Sequence, residues 1–131
     1  MLFICQFLLN FQGSEALIQV RSLSYEEMKN RLFQIPELHI SVKVISQEIF
    51  ISSFHMIRKF KNETGLTPHQ FQIQCRIRKA QKMLLSKKTI AEVALDTGFY
   101  DQSHFVKCFK KIVGMTPSSY KKVARISKVQ E

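Results

Sequence analysis

The 131-residue chain is poor in residues that break regular secondary structure, with only four Gly and three Pro. An all-β fold needs more of both at its many turns, so the composition argues against one. Apolar residues make up 45% of the chain and include eleven Phe, which is enough for a core and excludes a disordered protein. We therefore expect one domain, or two small lobes that share a linker.

Cysteine and histidine are also scarce. The three cysteines, Cys5, Cys75 and Cys108, form no CxxC motif and no disulfide-like spacing, which is typical of a reducing compartment. The four His lack the spacing of metal ligands. Cys108 fits an apolar stripe at helical spacing that includes Phe105 and Ile112, so we expect it in the core. The sequence thus predicts no metal and no cofactor.

Patterns of a catalytic site or of a membrane span are missing as well. There is no Gly-rich phosphate loop, no obvious pair of carboxylates and no combination of nucleophile and base, which disfavours an enzyme. Residues 1–11 are apolar, but a bilayer span takes about 20 residues, and a signal peptide needs a basic start. This segment is a helix packed on the domain, a remnant of a longer upstream domain, or a membrane contact; we favour the first two.

Acidic residues are scarce in only one part of the chain. Residues 1–52 carry four basic and five acidic side chains, a net charge of −1, whereas residues 53–131 carry sixteen and five, a net charge of +11. The excess positive charge lies entirely in the second part, which favours a polyanion such as nucleic acid as the partner. A well-solvated surface is the alternative.

Within this basic part a twenty-residue stretch occurs twice, 49 residues apart. The first copy is SSFHMIRKFKNETGLTPHQF (Ser52–Phe71) and the second is DQSHFVKCFKKIVGMTPSSY (Asp101–Tyr120). In each copy Gly-x-Thr-Pro follows an apolar helical stripe, where Gly ends one helix, Thr caps the next and Pro takes its first position. Each copy therefore predicts a helix, a tight turn and a second helix start.

Capping boxes and apolar periodicity extend this prediction to an all-α fold of about seven helices. The predicted helices run from near Tyr25 to before Pro36, from Ser41 to about Phe50, over 53–64, from Pro68 to Leu85, over 90–97, over 102–113, and from Pro117 to near Val123. Each lobe then has a short helix, a turn of about three or four residues and a second helix, which is helix-turn-helix spacing. A linker of about 19 residues, roughly 28 Å long, suits two recognition helices one DNA turn apart.

Several segments resemble one known family, in the same order along the chain. Gly98–Tyr120 is similar to the signature of the AraC/XylS transcriptional regulators, and Phe54–Phe71, Arg76–Leu85 and Ile90–Ala94 are similar to other parts of the same domain. The resemblance covers about residues 40–122. It implies a DNA-binding domain of two helix-turn-helix subdomains joined by a long linker helix, in a regulator that is usually an activator.

The expected boundaries follow from the pattern and the resemblance together. Residues 1–40 form an N-terminal segment, a remnant of a longer sensor region plus the first helix; 41–123 form the DNA-binding domain, with lobe one at 41–66, the linker helix at 67–86 and lobe two at 89–123; and 124–131 form a frayed tail. Most members of the family carry an upstream ligand-binding and dimerising domain, for which residues 1–40 are too short. The chain is therefore expected to be a compact stand-alone regulator or a piece of a longer one.

The resemblance also implies which residues contact DNA. At the first recognition helix they are Phe54, Ile57 and Arg58, and at the second they are Gln102, Ser103 and Lys107. Arg58 can bond to guanine O6 and N7, and Gln102 can read adenine N6 and N7. Phe54 can pack on a thymine methyl group, and Lys107 can serve a base or a phosphate.

Three positions in or near the first lobe depart from the family pattern. Ile57 stands where a polar residue is common, so it either contacts a methyl group or belongs to the core. Phe50 stands where the turn usually has Gly, and Gln72 where a large apolar residue is usual. The first lobe therefore matches the family less closely than the second.

Other repeated residues have structural interpretations. We expect His55 and His104 to hold helix geometry or touch phosphate, and Phe60 and Phe109 to lie in the core. The neighbouring lysines, which are solvated charges or phosphate contacts, are Lys59, Lys61, Lys110 and Lys111.

Together these patterns predict a bacterial, cytoplasmic transcriptional regulator whose partner is double-stranded DNA, with RNA polymerase as a second partner. We expect no membrane partner and no small-molecule effector bound within this chain. The alternative is a truncated family member without its sensor, which acts as a protein-interaction module or no longer regulates. RNA binding would fit the charge, but the sequence has no RNA-binding signature.

Overall fold

The computed structural model describes residues 26–39, 41–48 and 52–129. Seven helices form within these residues, and none of the described backbone is a strand. They are α1 at residues 26–34, α2 at Val42–Glu48, α3 at Ser53–Thr64, α4 at Pro68–Met83, α5 at Ile90–Asp96, α6 at Gln102–Val113 and α7 at Pro117–Val129. The all-α prediction is confirmed for this part of the chain. The predictions for residues 1–11, including Cys5, and for Phe50 lie outside the described residues.

The chain divides into two compact units. The first consists of the residues up to Gln34 together with Ile40–Phe71, and it contains α1, α2, α3 and the first turn of α4. The second consists of Ile35–His39 and the residues from Gln72 onward. We call Ile35–His39 the strap. The strap belongs to the second unit although α1 and α2, on either side of it in sequence, belong to the first.

A small apolar core stabilises the first unit. Met28 and Leu32, four residues apart on α1, are buried, as are Met56 and Phe60, four residues apart on α3. The ring of Phe71 contacts the ring of Phe60 edge-on, with centroids 5.3 Å apart. The predicted core position of Phe60 is therefore confirmed.

A larger apolar cluster forms the core of the second unit. Its buried members are Ile73, Ile77, Ala80, Leu84, Val93, Ala94, Phe99, Phe105 and Phe109. A continuous series of ring contacts runs through it to its margin: Phe99, Phe105, Phe109 and the partly buried Tyr120 pack at successive centroid distances of 5.2, 5.7 and 5.5 Å. Such edge and tilted contacts between rings add stability beyond the buried area. The predicted core position of Phe109 is confirmed.

Cys108 lies at the margin of this core rather than inside it. Its side chain is partly buried and packs against the cluster, while Ile112, the last residue of the predicted stripe, is exposed. Burial raises the pKa of the Cys108 thiol, and it raises that of the buried Cys75 thiol as well. Both thiols are therefore neutral near pH 7.

α4 is shorter than predicted. Its capping box is present, with the Thr67 N–H donating to Gln70 Oε1 at 3.0 Å and the Gln70 N–H donating to Thr67 Oγ1 at 3.2 Å. The helix ends at Met83, however, and has 16 residues rather than about 19, so it is roughly 24 Å long. At this end the Ser86 N–H and Oγ both donate to the Met83 carbonyl, at 3.0 and 2.6 Å, in place of a further helical turn.

α7 is longer than predicted. The sequence predicts a helix that ends near Val123 and a frayed tail from residue 124, but α7 continues to Val129. No Gly or Pro follows Pro117, so nothing local stops the helix. The Ser127 Oγ also donates to the Val123 carbonyl at 3.1 Å, inside the segment that the prediction left out.

Truncating the central ring of the second unit should unfold that unit. Phe109→Ala removes a fully buried ring and should cost about 3–5 kcal/mol of unfolding free energy. Phe54→Ala is the matched control, because that ring is 68% exposed and its loss should cost less than about 1 kcal/mol. Thermal unfolding followed by circular dichroism measures both. Equal melting temperatures for the two variants would contradict the assignment of Phe109 to the core.

Candidate nucleic-acid interface

Each unit contains a pair of packed helices joined by a short connection. α2 packs on α3 in the first unit, and α5 packs on α6 in the second. Because α5 ends at Asp96, the second connection is the five residues Thr97–Asp101 rather than the predicted three or four. Both pairs have the helix-turn-helix arrangement, in which α3 and α6 are the second helices.

Gly98 is required in the second turn for two reasons. Its φ is +92°, a left-handed conformation that strains other residues. A Cβ at this position would also lie 2.8 Å from the Cα and the carbonyl oxygen of Glu37 in the strap. The preceding Thr97 is fully buried, and its Oγ1 donates to the Val93 carbonyl at 2.7 Å. The turn therefore holds the start of α6 in one place.

Side-chain caps begin both recognition helices. The Ser52 Oγ accepts the His55 N–H at 3.1 Å before α3, and the Asp101 Oδ1 accepts the His104 N–H at 2.7 Å before α6. The two repeated histidines thus occupy the same capped position. The His104 ring also packs edge-on against Phe99, with centroids 5.5 Å apart. These contacts support the interpretation that His104 holds helix geometry.

The three residues predicted to contact DNA from α3 are all exposed at its N-terminal half. Phe54 is 68% exposed and Ile57 is 36% exposed, and Arg58 lies one turn after Phe54. Ile57 is therefore a surface residue, and of its two predicted interpretations the core one is wrong. The Arg58 guanidinium lies over the Phe54 ring, 4.6 Å from its centroid. This cation–π contact limits the freedom of Arg58 before it meets any partner.

The three residues predicted for α6 are also exposed. Gln102 and Ser103 lie in the first turn of the helix and Lys107 lies one turn further on. Phe105 and Phe109, one and two turns after Gln102, are buried. All three predicted side chains are therefore exposed, Gln102 because it lies at the start of the helix, ahead of the buried rings.

Gln72, which departs from the family pattern, is buried with hydrogen-bond partners on the strap. Only 7% of the residue is exposed, and its Nε2 donates to the carbonyl oxygens of Pro36 at 3.1 Å and Leu38 at 2.5 Å. Arg76, 5% exposed, donates from Nε to the same Pro36 carbonyl at 2.6 Å. An amide replaces the usual apolar side chain because the strap presents backbone carbonyls there, which would be costly to bury unpaired.

A salt bridge adds to the attachment of the strap. The Lys79 Nζ lies 2.8 Å from Glu37 Oε2. Burial alone would raise the pKa of the Glu37 carboxyl, but hydrogen bonds from Lys79 and from its own backbone, with the charges of Lys79 and Arg76, lower it below its usual value. Burial lowers the pKa of the Arg76 guanidinium, and the neighbouring Tyr100 and Glu37 oppose that shift. The strap is thus held by charged and neutral hydrogen bonds together.

Sequence-based prediction missed an aromatic pair beside α6. The ring of Tyr100, which is 81% exposed, stacks on that of His39 at the end of the strap, with centroids 4.8 Å apart and an interplanar angle of 12°. The signal that was available is the place of Tyr100 in the sequence. It lies between Phe99, which is buried, and Asp101, which caps α6, so its ring lies outside the core. Nothing in the sequence places His39 beside it.

The outer faces of both recognition helices carry positive charge. Lys61, Lys110 and Lys111 are exposed, and Lys59 is half-buried. Within the described ranges, no three His, Cys, Asp or Glu side chains are grouped so that they could hold a metal ion. None of the helices in this part of the chain is long and apolar enough to cross a membrane.

Known proteins share both the sequence pattern and the fold of this chain. Residues 45–123, more than half of the chain, match the family described as "Helix-turn-helix domain". The fold is also similar to that of a transcriptional regulator from Chromobacterium violaceum with an AraC-type DNA-binding domain, at 21% identity and a TM-score of 0.69, covering 79% of this chain and 93% of that one. The chain belongs to the AraC-type family of helix-turn-helix DNA-binding domains, which confirms the predicted family.

Two further relatives show how much of a protein the likeness covers. The HTH-type transcriptional regulator YbfI of Bacillus subtilis is 35% identical over 65 residues, which are 50% of this chain and 24% of YbfI. The DNA-binding domain of AdpA, solved in complex with a target DNA, has a TM-score of 0.65 at 24% identity and covers 88% of this chain and 97% of that domain. The chain spans between 19% and 35% of the length of the curated relatives that it matches.

Removing the cap of α6 should destabilise the second unit without touching its core. Asp101→Ala deletes the acceptor of the His104 N–H and should lower the unfolding free energy by about 0.5–2 kcal/mol. Asp101→Asn keeps an acceptor of nearly equal capping strength and is the matched control. Urea unfolding measures both variants. An Asn variant as unstable as the Ala variant would show that charge, rather than capping, makes Asp101 stabilising.

Proposed function

We propose that this chain is a sequence-specific DNA-binding regulator of transcription, acting as an activator, and that α3 and α6 read the DNA major groove. One observation carries the proposal. Each of these helices is capped at its N-terminus and buries one face. Its N-terminal half exposes side chains that can bond to base edges or pack on methyl groups. Helix-turn-helix proteins contact bases mainly from the N-terminal part of the second helix. The complex of the AdpA domain with DNA supports this use of the fold.

The first recognition helix would read bases through two kinds of contact. Arg58 is suited to the O6 and N7 acceptors of guanine, which its planar guanidinium can meet together. Phe54 and Ile57 form an exposed apolar edge one turn long, which is suited to thymine methyl groups. A guanine next to thymines is therefore the expected preference of this half of the site.

The second recognition helix would contact bases through polar side chains. Gln102, the first residue of α6, is suited to adenine N6 and N7, and Ser103 can donate to or accept from either kind of base. Lys107 corresponds to Arg58 in the repeat and would serve a base or a phosphate. Because α3 and α6 present different side chains, the two halves of the preferred site should differ in sequence.

The charge of the chain supplies the non-specific part of the affinity. The net +11 of residues 53–131 and the exposed lysines on α3 and α6 favour contacts with about 6–10 phosphates. We further propose that double-stranded DNA is the main partner and RNA polymerase a second one, in the cytoplasm of a bacterium. We also propose that no small-molecule effector binds within this chain, in which case its abundance would control its activity.

Exchanging single readers should change base preference in separate halves of the site. Arg58→Ala and Gln102→Ala should each cost about 1–3 kcal/mol at their own base pair and relax the preference there. Lys110→Ala is the control, because loss of a phosphate contact weakens all sequences about equally. Binding profiles over a library of duplex variants compare the three. A uniform loss of affinity for Arg58→Ala and Gln102→Ala, with base preferences unchanged, would refute their assignment as readers.

The salt dependence of binding separates DNA binding from the alternative, a truncated family member that acts only through protein contacts. We expect the logarithm of the affinity to fall with the logarithm of salt concentration at a slope of about −0.9 for each phosphate contact. Titrations at several salt concentrations give the slope. A nearly flat dependence would favour the protein-interaction module.

The form of the preferred site provides a further test. Because the two recognition helices are unequal, one chain should bind a non-palindromic duplex of about 16–20 base pairs, that is, two adjacent groove segments. Selection from a random DNA pool identifies the motif, and light scattering of the complex gives the number of chains. A strictly two-fold symmetric motif bound by two chains would contradict the monomeric mode.

A further inference from the structure

The stacked rings of Tyr100 and His39 have no part in the base contacts proposed above. They lie in the second unit, with Tyr100 just ahead of the Asp101 cap of α6. Tyr100, at 81%, is the most exposed of the large apolar and aromatic side chains in the described ranges. Burial of apolar surface therefore does not account for its position, and a phenol at such a site suggests contact with a polar partner.

The backbone that carries both rings is firmly held. Buried Gln72 and Arg76 bond to the carbonyl groups of the strap that ends at His39. On the other side, Gly98 packs directly against the strap at Glu37. The strap and the turn before α6 therefore form one rigid platform within the second unit, and the two rings stack on its surface. A side chain held in this way loses little conformational entropy when it binds.

Distance along the chain relates this platform to the DNA that α6 would read. Tyr100 precedes Gln102 by two residues, which span at most about 7 Å. The major groove is about 12 Å wide, so a point at the middle of its floor is about 6 Å from either wall. If Gln102 meets a base edge, the neighbouring Tyr100 is close enough for its side chain to reach the sugar-phosphate wall.

We propose that Tyr100 contacts a DNA phosphate. Its hydroxyl donates to a phosphate oxygen, and stacking on His39 holds its ring in place. The proposal rests on the proposed function of α6, and it adds a binding residue and a positioning residue to that surface. Tyrosine hydroxyls are among the groups that bind phosphate in protein–DNA complexes, where they set register without reading sequence. The strap would thereby contribute to the register of α6 on the duplex.

Removing one oxygen atom tests the contact. Tyr100→Phe keeps the ring and its stacking and should weaken binding to every duplex about tenfold, the effect of one hydrogen bond to a charged acceptor, with the base profile unchanged. Tyr120→Phe is the matched control, because that half-buried ring packs on Phe109 in the core. Its affinity should equal that of the unmodified protein.

Neutral phosphates locate the contact. Methylphosphonate is placed at single positions beside the base pair whose preference depends on Gln102. At one of these positions it should weaken binding of the unmodified protein and have no further effect on Tyr100→Phe. His39→Ala should reduce this sensitivity to methylphosphonate. Its melting temperature should equal that of the unmodified protein, whereas a purely structural role of His39 would lower the melting temperature.

The possible results separate this proposal from the proposed function. Binding of Tyr100→Phe equal to that of the unmodified protein, or a changed preference at one base pair, would overturn the phosphate contact. Full methylphosphonate sensitivity in His39→Ala would overturn the positioning role of His39. Base preferences that still depend on Arg58 and Gln102 would leave the proposed function standing in each case. Failure of the unmodified protein to select any DNA would instead remove the proposed function itself.

Discussion

Phe60 in α3 and Phe109 in α6 are fully buried, and their burial determines which face of each helix meets solvent. A helix turns by about 100° per residue, so residues three and four apart share a face. Met56 accompanies Phe60 in the first unit, and Phe105 accompanies Phe109 in the second. Much of the remaining surface of each helix is exposed to solvent. The caps and the left-handed glycines that follow hold each helix at a defined start and end.

The strap shows how a departure from a family pattern can be compensated. A glutamine at position 72 would be costly in an apolar core, but here its amide bonds to the backbone carbonyls of Pro36 and Leu38. Arg76 and Lys79 extend the same attachment through Pro36 and Glu37. The result is a rigid link between the strap, the part of α4 from Gln72 onward and the turn at Gly98, all within the second unit. The position of the exposed Tyr100 ring, which stacks on His39 of the strap, depends on that link.

Sequence-based prediction succeeded where the deciding contacts are local. The capping boxes at Thr67 and Thr89 and the helix end at Gly114 are present as expected, because each involves residues within four positions of one another. It failed at the end of α4, where Ser86 closes the helix, and at the end of α7, where no breaker occurs. In both places the periodicity was sound, but it does not specify a terminus by itself.

The sequence alone determined the all-α class and the family, since apolar spacing and capping residues are read within a few turns of helix. Only the tertiary structure decided that Ile57 lies at the surface, that Gln72 is buried with partners, and that His39 stacks on Tyr100. These outcomes depend on contacts between residues far apart in the sequence, which local sequence patterns do not specify. The hydrogen bonds from Gln72 and Arg76 to Pro36, for example, join residues 36 and 40 positions apart, and no local periodicity encodes such pairings.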